Sequence, residues 1–168
     1  MKKTTRLVVL ASATILTASL VWVTSAGRSG ANDGQETLDG IAYLTAQQTM
    51  AEYEQEATKW TFAPMRPQPK KTYADTLSDG KQAMYQKGTA RIDASFDWWC
   101  SWARMLVEAQ TPADHDTALP HVLSVHQTPF YAEGLVPQDR PVFDHDVVTP
   151  AQAGDYSGVK AAVTQNCA

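Results

Sequence analysis

A small, mainly helical domain of about four helices, set behind an apolar N-terminal leader, is the fold class this sequence predicts. Three observations lead there. Apolar residues recur at steps of three and four in two long stretches, six of the nine prolines crowd into residues 112–150, and a basic start precedes an uncharged apolar run at the N-terminus. Of the 168 residues, about 140 follow the leader, the usual size of one domain. With 43% apolar and 19% charged residues, the chain has enough apolar surface to bury a core and is not a disordered polyelectrolyte.

The leader begins with Lys2, Lys3 and Arg6, and residues 7–26 carry no charge. This is the order of an export signal, a cationic start followed by an apolar stretch. Thr24-Ser25-Ala26 before Gly27 offers the small residues of a cleavage site. The uncharged stretch between Arg6 and Arg28 is about 20 residues, long enough at 1.5 Å rise to span about 30 Å of hydrocarbon, with Trp22 near the outer interface. Residues 1–26 therefore read as a signal peptide or a single-span membrane anchor, N-terminus in, and the membrane is a partner if they are not cut. Residues 27–35 are small and polar and read as a flexible tether. Residues 36–168 read as an extracytoplasmic helical domain. The leader holds three of the 14 basic residues and none of the 18 acidic ones, which leaves 11 against 18, or −7, for the rest. That charge excludes nucleic acid as an expected partner.

Within residues 36–60, Tyr43, Ala46, Met50, Tyr53, Ala57 and Trp60 fall on one helical stripe, flanked by Glu52, Glu54 and Glu56 as a solvated acidic face. Residues 64–71, with Pro64, Pro67 and Pro69, are an extended connection. A second helix is expected over 73–87 with Leu77, Met84 and Tyr85, weakened by Gly80 and ended by Gly88, with Thr89 placed to cap the next. That third helix, 90–110, has the stripe Ile92, Phe96, Trp99, Ala103 and Leu106 and a neighbouring stripe of Trp98, Trp102 and Met105, so it should be central. Prolines then make 112–150 a loop-rich region. In it, 121–126 and 141–148 can pair as a short β-hairpin, although Pro120 can equally open a brief helical turn. A last short helix over 158–167 follows Ser157 as its cap, with Val159, Ala162 and Val163 inward.

Cys100 and Cys167 are the two cysteines of the chain, and outside the cytoplasm an even count favours a disulfide between them. The triplets Asp114-His115-Asp116 and Asp144-His145-Asp146 enclose His121 and His126. Imidazoles and carboxylates are the ligands a divalent metal takes, so Asp114, His115, His121, His126, Asp144 and His145 are the metal candidates, against solvated loop residues as the plainer reading. Ser124, His126 and Asp144 are a nominal triad without a nucleophile motif, and the sequence has no Gly-x-Ser-x-Gly elbow, phosphate-binding glycine loop or zinc-protease helix motif. Trp98 and Trp102 are candidates for an aromatic binding surface, with core packing as their alternative role. The expectation is an exported or membrane-anchored envelope protein with a non-catalytic binding or structural role toward an envelope protein or polymer, and no cofactor. The alternative is a metal-dependent or hydrolytic extracytoplasmic enzyme using region 114–146.

Overall fold

The computed structural model describes residues 36–38 and 40–167. The leader and tether of the sequence reading, residues 1–26 and 27–35, lie outside the described residues. Among those described, no helix is long and apolar enough to cross a membrane. The described residues are mainly helical, with six α-helices and one small antiparallel sheet.

The sheet occupies ground where the apolar stripe predicts helix. β1 (Glu36–Leu38) and β2 (Ile41–Thr45) form a hairpin with Leu38 opposite Ile41 and Gly40 at φ +78° in its turn. α1 (Ala46–Ala57) starts directly from β2. The switch is made at Thr45, whose side chain accepts from the Gln48 amide at 3.3 Å while Gln48 Oε1 accepts from the Thr45 amide at 2.9 Å, a reciprocal cap that starts the helix there and not earlier. Ala46, Thr49, Tyr53 and Ala57 turn inward. The acidic face is only partly solvated. Glu56 is buried and pairs with Lys59 at 2.5 Å, and Glu52 accepts from the Gly88 amide at 3.2 Å.

The helix expected over 73–87 is absent. Residues 58–83 form an irregular strap, closed by a bridge between Thr76 and Gln82 around Gly80 at φ +82°, and β3 (Met84–Gln86) then pairs with β2, Tyr43 opposite Gln86. The open edge of β2 takes these backbone groups, and a left-handed glycine breaks the helical path. Gly88, at φ +97°, therefore precedes a helix and does not end one, and Thr89 is the first residue of that helix, not its cap.

α2 (Thr89–Glu108) is the axis of the domain, as its two apolar stripes predict. It buries Ala94, Trp98, Trp99, Trp102, Ala103 and Leu106 and touches α1, α3 and α6. The loop-rich region instead winds through helical turns: α3 (Pro112–Leu123), a 3₁₀ turn at Ser124–Gln127, a π turn at Phe130–Gly134, α4 (Asp139–Phe143), a second π turn at Asp144–Val148, and α5 (Thr149–Gln152). The expected strand pair of 121–126 and 141–148 does not form. Two of the six prolines fit this path because a first turn has no use for their missing amide: Pro112 and Pro150 sit in the first turns of α3 and α5. Pro120, inside α3, lies three residues before its end. α6 (Ser157–Asn166) closes the fold with Val159 fully buried. The oxygen at its start comes from Asp155, which accepts from the Ser157 amide at 2.9 Å, and not from Ser157.

Candidate functional site

The Cys100–Cys167 disulfide is formed, with S–S 2.10 Å and Cα–Cα 5.6 Å, across 67 residues of sequence. It ties the end of α6 to the middle of α2. Arg104, one turn further along α2, donates to the Cys167 carbonyl beside it. The tail is thus held covalently, and Val159 and Ala151 fill the space beneath it.

Trp98 and Trp102 lie on the same side of α2 and are 5% and 4% exposed, so neither ring offers the open face that an aromatic binding surface needs. They are core. Both indole N–H groups donate to a single acceptor, the Thr61 carbonyl of the strap, at 2.9 and 3.0 Å. Trp60 packs on Trp98 with ring centroids 4.8 Å apart. The His121 ring stacks on Trp102 at 3.7 Å and meets Trp98 edge-on at 6.1 Å. Burial between these rings holds the His121 imidazole below its usual range, because the cation would lose water without gaining a partner.

The six metal candidates are divided among local roles. Asp114 accepts from the Thr111 hydroxyl at 2.7 Å at the start of α3. His115 stacks on Tyr156 at 5.1 Å, and its Nδ1 is buried without a hydrogen-bond partner. His145 is exposed, with Nδ1 2.7 Å from Asp146. His126 and Asp144 do meet, Nε2 to Oδ1 at 2.7 Å, and the Tyr131 hydroxyl donates to the other Asp144 oxygen at 2.7 Å. Partial burial pushes the Asp144 carboxyl up, but the hydrogen bonds from Tyr131 and His126 outweigh it and leave the group below the ordinary carboxylate range. No third ligand joins this pair. Among the described residues, no group of three or more histidines, cysteines, aspartates or glutamates is placed to hold a metal ion. Ser124 does not complete a triad either, since its hydroxyl donates to the His121 carbonyl at 2.8 Å. What the arrangement does is join the 3₁₀ turn to both π turns.

The densest polar cluster lies elsewhere and was not singled out by the sequence. Asp93 and Asp97, four residues apart on α2, face Lys71 and Tyr73 of the strap and Tyr53 of α1. Lys71 Nζ is 3.3 Å from Asp97 and 3.8 Å from Asp93. Tyr53 donates to Asp97 at 2.9 Å and Tyr73 to Asp93 at 2.8 Å. Burial drives the Asp93 carboxyl up, and the opposing pull of Lys71 and Tyr73 does not bring it back to the usual range. Burial and the adjacent carboxylates likewise push both phenols above theirs. The signal available in the sequence is two aspartates four residues apart on a helix that is apolar over most of its circumference.

Two shallow depressions lie on the surface of the described residues. One, about 430 Å³, is lined by Gln110, Thr111, Pro112, His115, Asp116 and Tyr156. The other, about 440 Å³, lies between α1 and the strap, with Met50, Glu54, Tyr73 and Asp75 among its walls. Comparison of the chain with protein-family models, with curated proteins and with solved structures finds no match.

Proposed function

We propose that this chain is an exported envelope protein, anchored by its leader to the outer face of a cytoplasmic membrane or released from it, with a non-catalytic binding or structural role toward another envelope protein or polymer. The observation that carries the reading is the Cys100–Cys167 bridge. A disulfide persists where thiols are oxidised, and it accords with a leader whose cationic end stays in the cytoplasm while the bulk crosses. The non-catalytic part rests on the chemistry of the site. The side-chain hydrogen bonds of the imidazoles and carboxylates in region 114–146 run to the Thr111 hydroxyl, to each other and to the Tyr131 hydroxyl, which supports a structural role for them. The net charge of −7 beyond the leader directs the expected partner away from polyanions.

Cell fractionation with intact-mass measurement under non-reducing conditions tests the placement. The expected result is a membrane or extracytoplasmic protein two hydrogens lighter than its dithiol form. An uncut chain in the cytosol with both thiols free overturns it. One observation favours the enzymatic alternative, the contact of His126 with Asp144 and Tyr131. Elemental analysis of purified protein separates the two readings, because stoichiometric bound metal supports the enzyme and its absence after metal loading removes the metal-dependent form.

A further inference from the structure

The strap is fastened to α2 at two places. Near its start the Thr61 carbonyl accepts from two tryptophans, the Ala63 amide donates to Ser101 Oγ at 3.2 Å, and Arg66 pairs with Glu108. Its second fastening is the cluster of Lys71, Tyr73, Asp93 and Asp97, to which α1 contributes Tyr53. The two fastenings differ in charge balance. Arg66 and Glu108 are one cation and one anion at a half-exposed edge. In the cluster, one ammonium faces two carboxylates, and the side chains of Lys71, Asp93 and Asp97 are 30%, 30% and 16% exposed. Among the described residues, the groups facing this point from every packed element are those five: Tyr53 from α1, Lys71 and Tyr73 from the strap, and Asp93 and Asp97 from α2. With both aspartates ionised, the seam holds one uncompensated negative charge, and two like charges lie four residues apart on one helix face, which is unfavourable.

We propose that this seam is a proton-responsive lock: uptake of one proton by Asp93 tightens the strap on α2, and loss of that proton loosens it. Asp93 is the member that takes the proton. It is the farther of the two from Lys71, so the Lys71–Asp97 ion pair survives, and Asp93, once neutral, keeps an oxygen to accept the Tyr73 hydroxyl. The protonated seam has no net charge. Its burial also favours the neutral acid over the carboxylate, in agreement with the raised Asp93 carboxyl. Because Tyr73 and Asp75 also wall the depression beside α1, the lock sets how firmly that wall is held.

The sign follows from proton linkage. Asp93 titrates above its ordinary 3.8 in the fold and near that value in the unfolded chain. Between the two, the folded state binds more protons, so this contribution to stability is fully present below about pH 3.8 and is lost as pH rises through the folded value. Urea unfolding of the full oxidised chain at about pH 4 and about pH 7, run beside Asp93→Asn, isolates it. The asparagine keeps an acceptor for Tyr73 and cannot ionise. The expected result is that acidification raises the folding equilibrium constant of the wild type severalfold relative to the variant. No relative gain, or a relative loss, overturns the lock. A carbon NMR titration of the Asp93 carboxyl in the wild type decides the matter even if the variant fails to fold. A midpoint above 3.8 supports the lock, and one at or below that value overturns it.

Discussion

Gly158→Ala separates local helix preference from tertiary packing, because the two predict opposite signs. Gly158 is the second residue of α6, and alanine in place of glycine inside a helix ordinarily stabilises by about 1 kcal/mol. Here the added Cβ would lie 1.9 Å from the Asp146 carbonyl oxygen, 3.0 Å from the Asp146 carbonyl carbon and 3.2 Å from the Val147 Cα. All three are backbone atoms of the second π turn, so no side chain can swing aside. Ordinary contact begins near 3.4 Å, which requires α6 and the turn to part by about 1.5 Å, the difference between 3.4 and 1.9. Val159 is next in sequence and fully buried, and the far end of α6 is pinned by the disulfide, so the helix must tilt about that pin and lift Val159 from its contacts. A gap of even 0.5–1 Å forfeits about a quarter to a half of the dispersion well at each contact, and overpacking of this kind destabilises by about 1–3 kcal/mol. With an immovable neighbour, the upper end applies. We expect Gly158→Ala to lose about 3 kcal/mol in urea unfolding with an unchanged slope, and to melt about 10 °C lower. A stability equal to or above the wild type would show that the close approach of α6 to the π turn is wrong.

Replacing both cysteines, Cys100→Ser with Cys167→Ser, should lower stability by about 4 kcal/mol, since opening a loop of 67 residues restores chain entropy to the unfolded state; a loss under about 1 kcal/mol in equilibrium unfolding would deny the bridge that role. His121, its imidazole held down by burial, takes up a proton more readily in the unfolded chain, so stability should fall as pH drops below the ordinary 6.5. A proton NMR titration should place its midpoint below that value, and a midpoint above it would contradict the stacking on Trp102.

The parts of the fold legible in the sequence are those in which one pattern runs the full length of an element. α2 carries two adjacent apolar stripes over five turns, and its place at the centre of the domain follows from them. α6 is short but has Val159 inward and was readable for the same reason. Residues 36–60 show how a single stripe misleads. Tyr43 and Ala46 are both buried, as the stripe requires, yet one is on β2 and the other begins α1. The information that divides them was present as Thr45 and Gln48, the two ends of a capping box. In 121–126 and 141–148, Val122, Val125, Val147 and Val148 are buried and Val142 is exposed, all in helical turns, because apolar composition alone does not choose between a strand and a short helical segment.

The candidate site was legible only where the chemistry is covalent. Two cysteines can pair in one way, and they do. Trp98 and Trp102 are near one another as their spacing implies, but whether their rings meet solvent depended on the strap and on His121, which come from distant parts of the chain. The histidine and aspartate triplets promised ligands by composition, and helical turns aimed most of them apart. Of the cluster of Tyr53, Lys71, Tyr73, Asp93 and Asp97, only the two aspartates had a local signature, since its members come from α1, the strap and α2.

By itself, then, the sequence determined the helical character, the central helix and the partner of each cysteine, because helical periodicity and a lone thiol pair are properties of the chain that need no knowledge of its neighbours. Tertiary structure decided where strand gives way to helix, which tryptophans are covered, and which carboxylates share a lysine. Those outcomes depend on hydrogen bonds and desolvation between segments far apart in sequence, and such energies exist only once the segments are brought together.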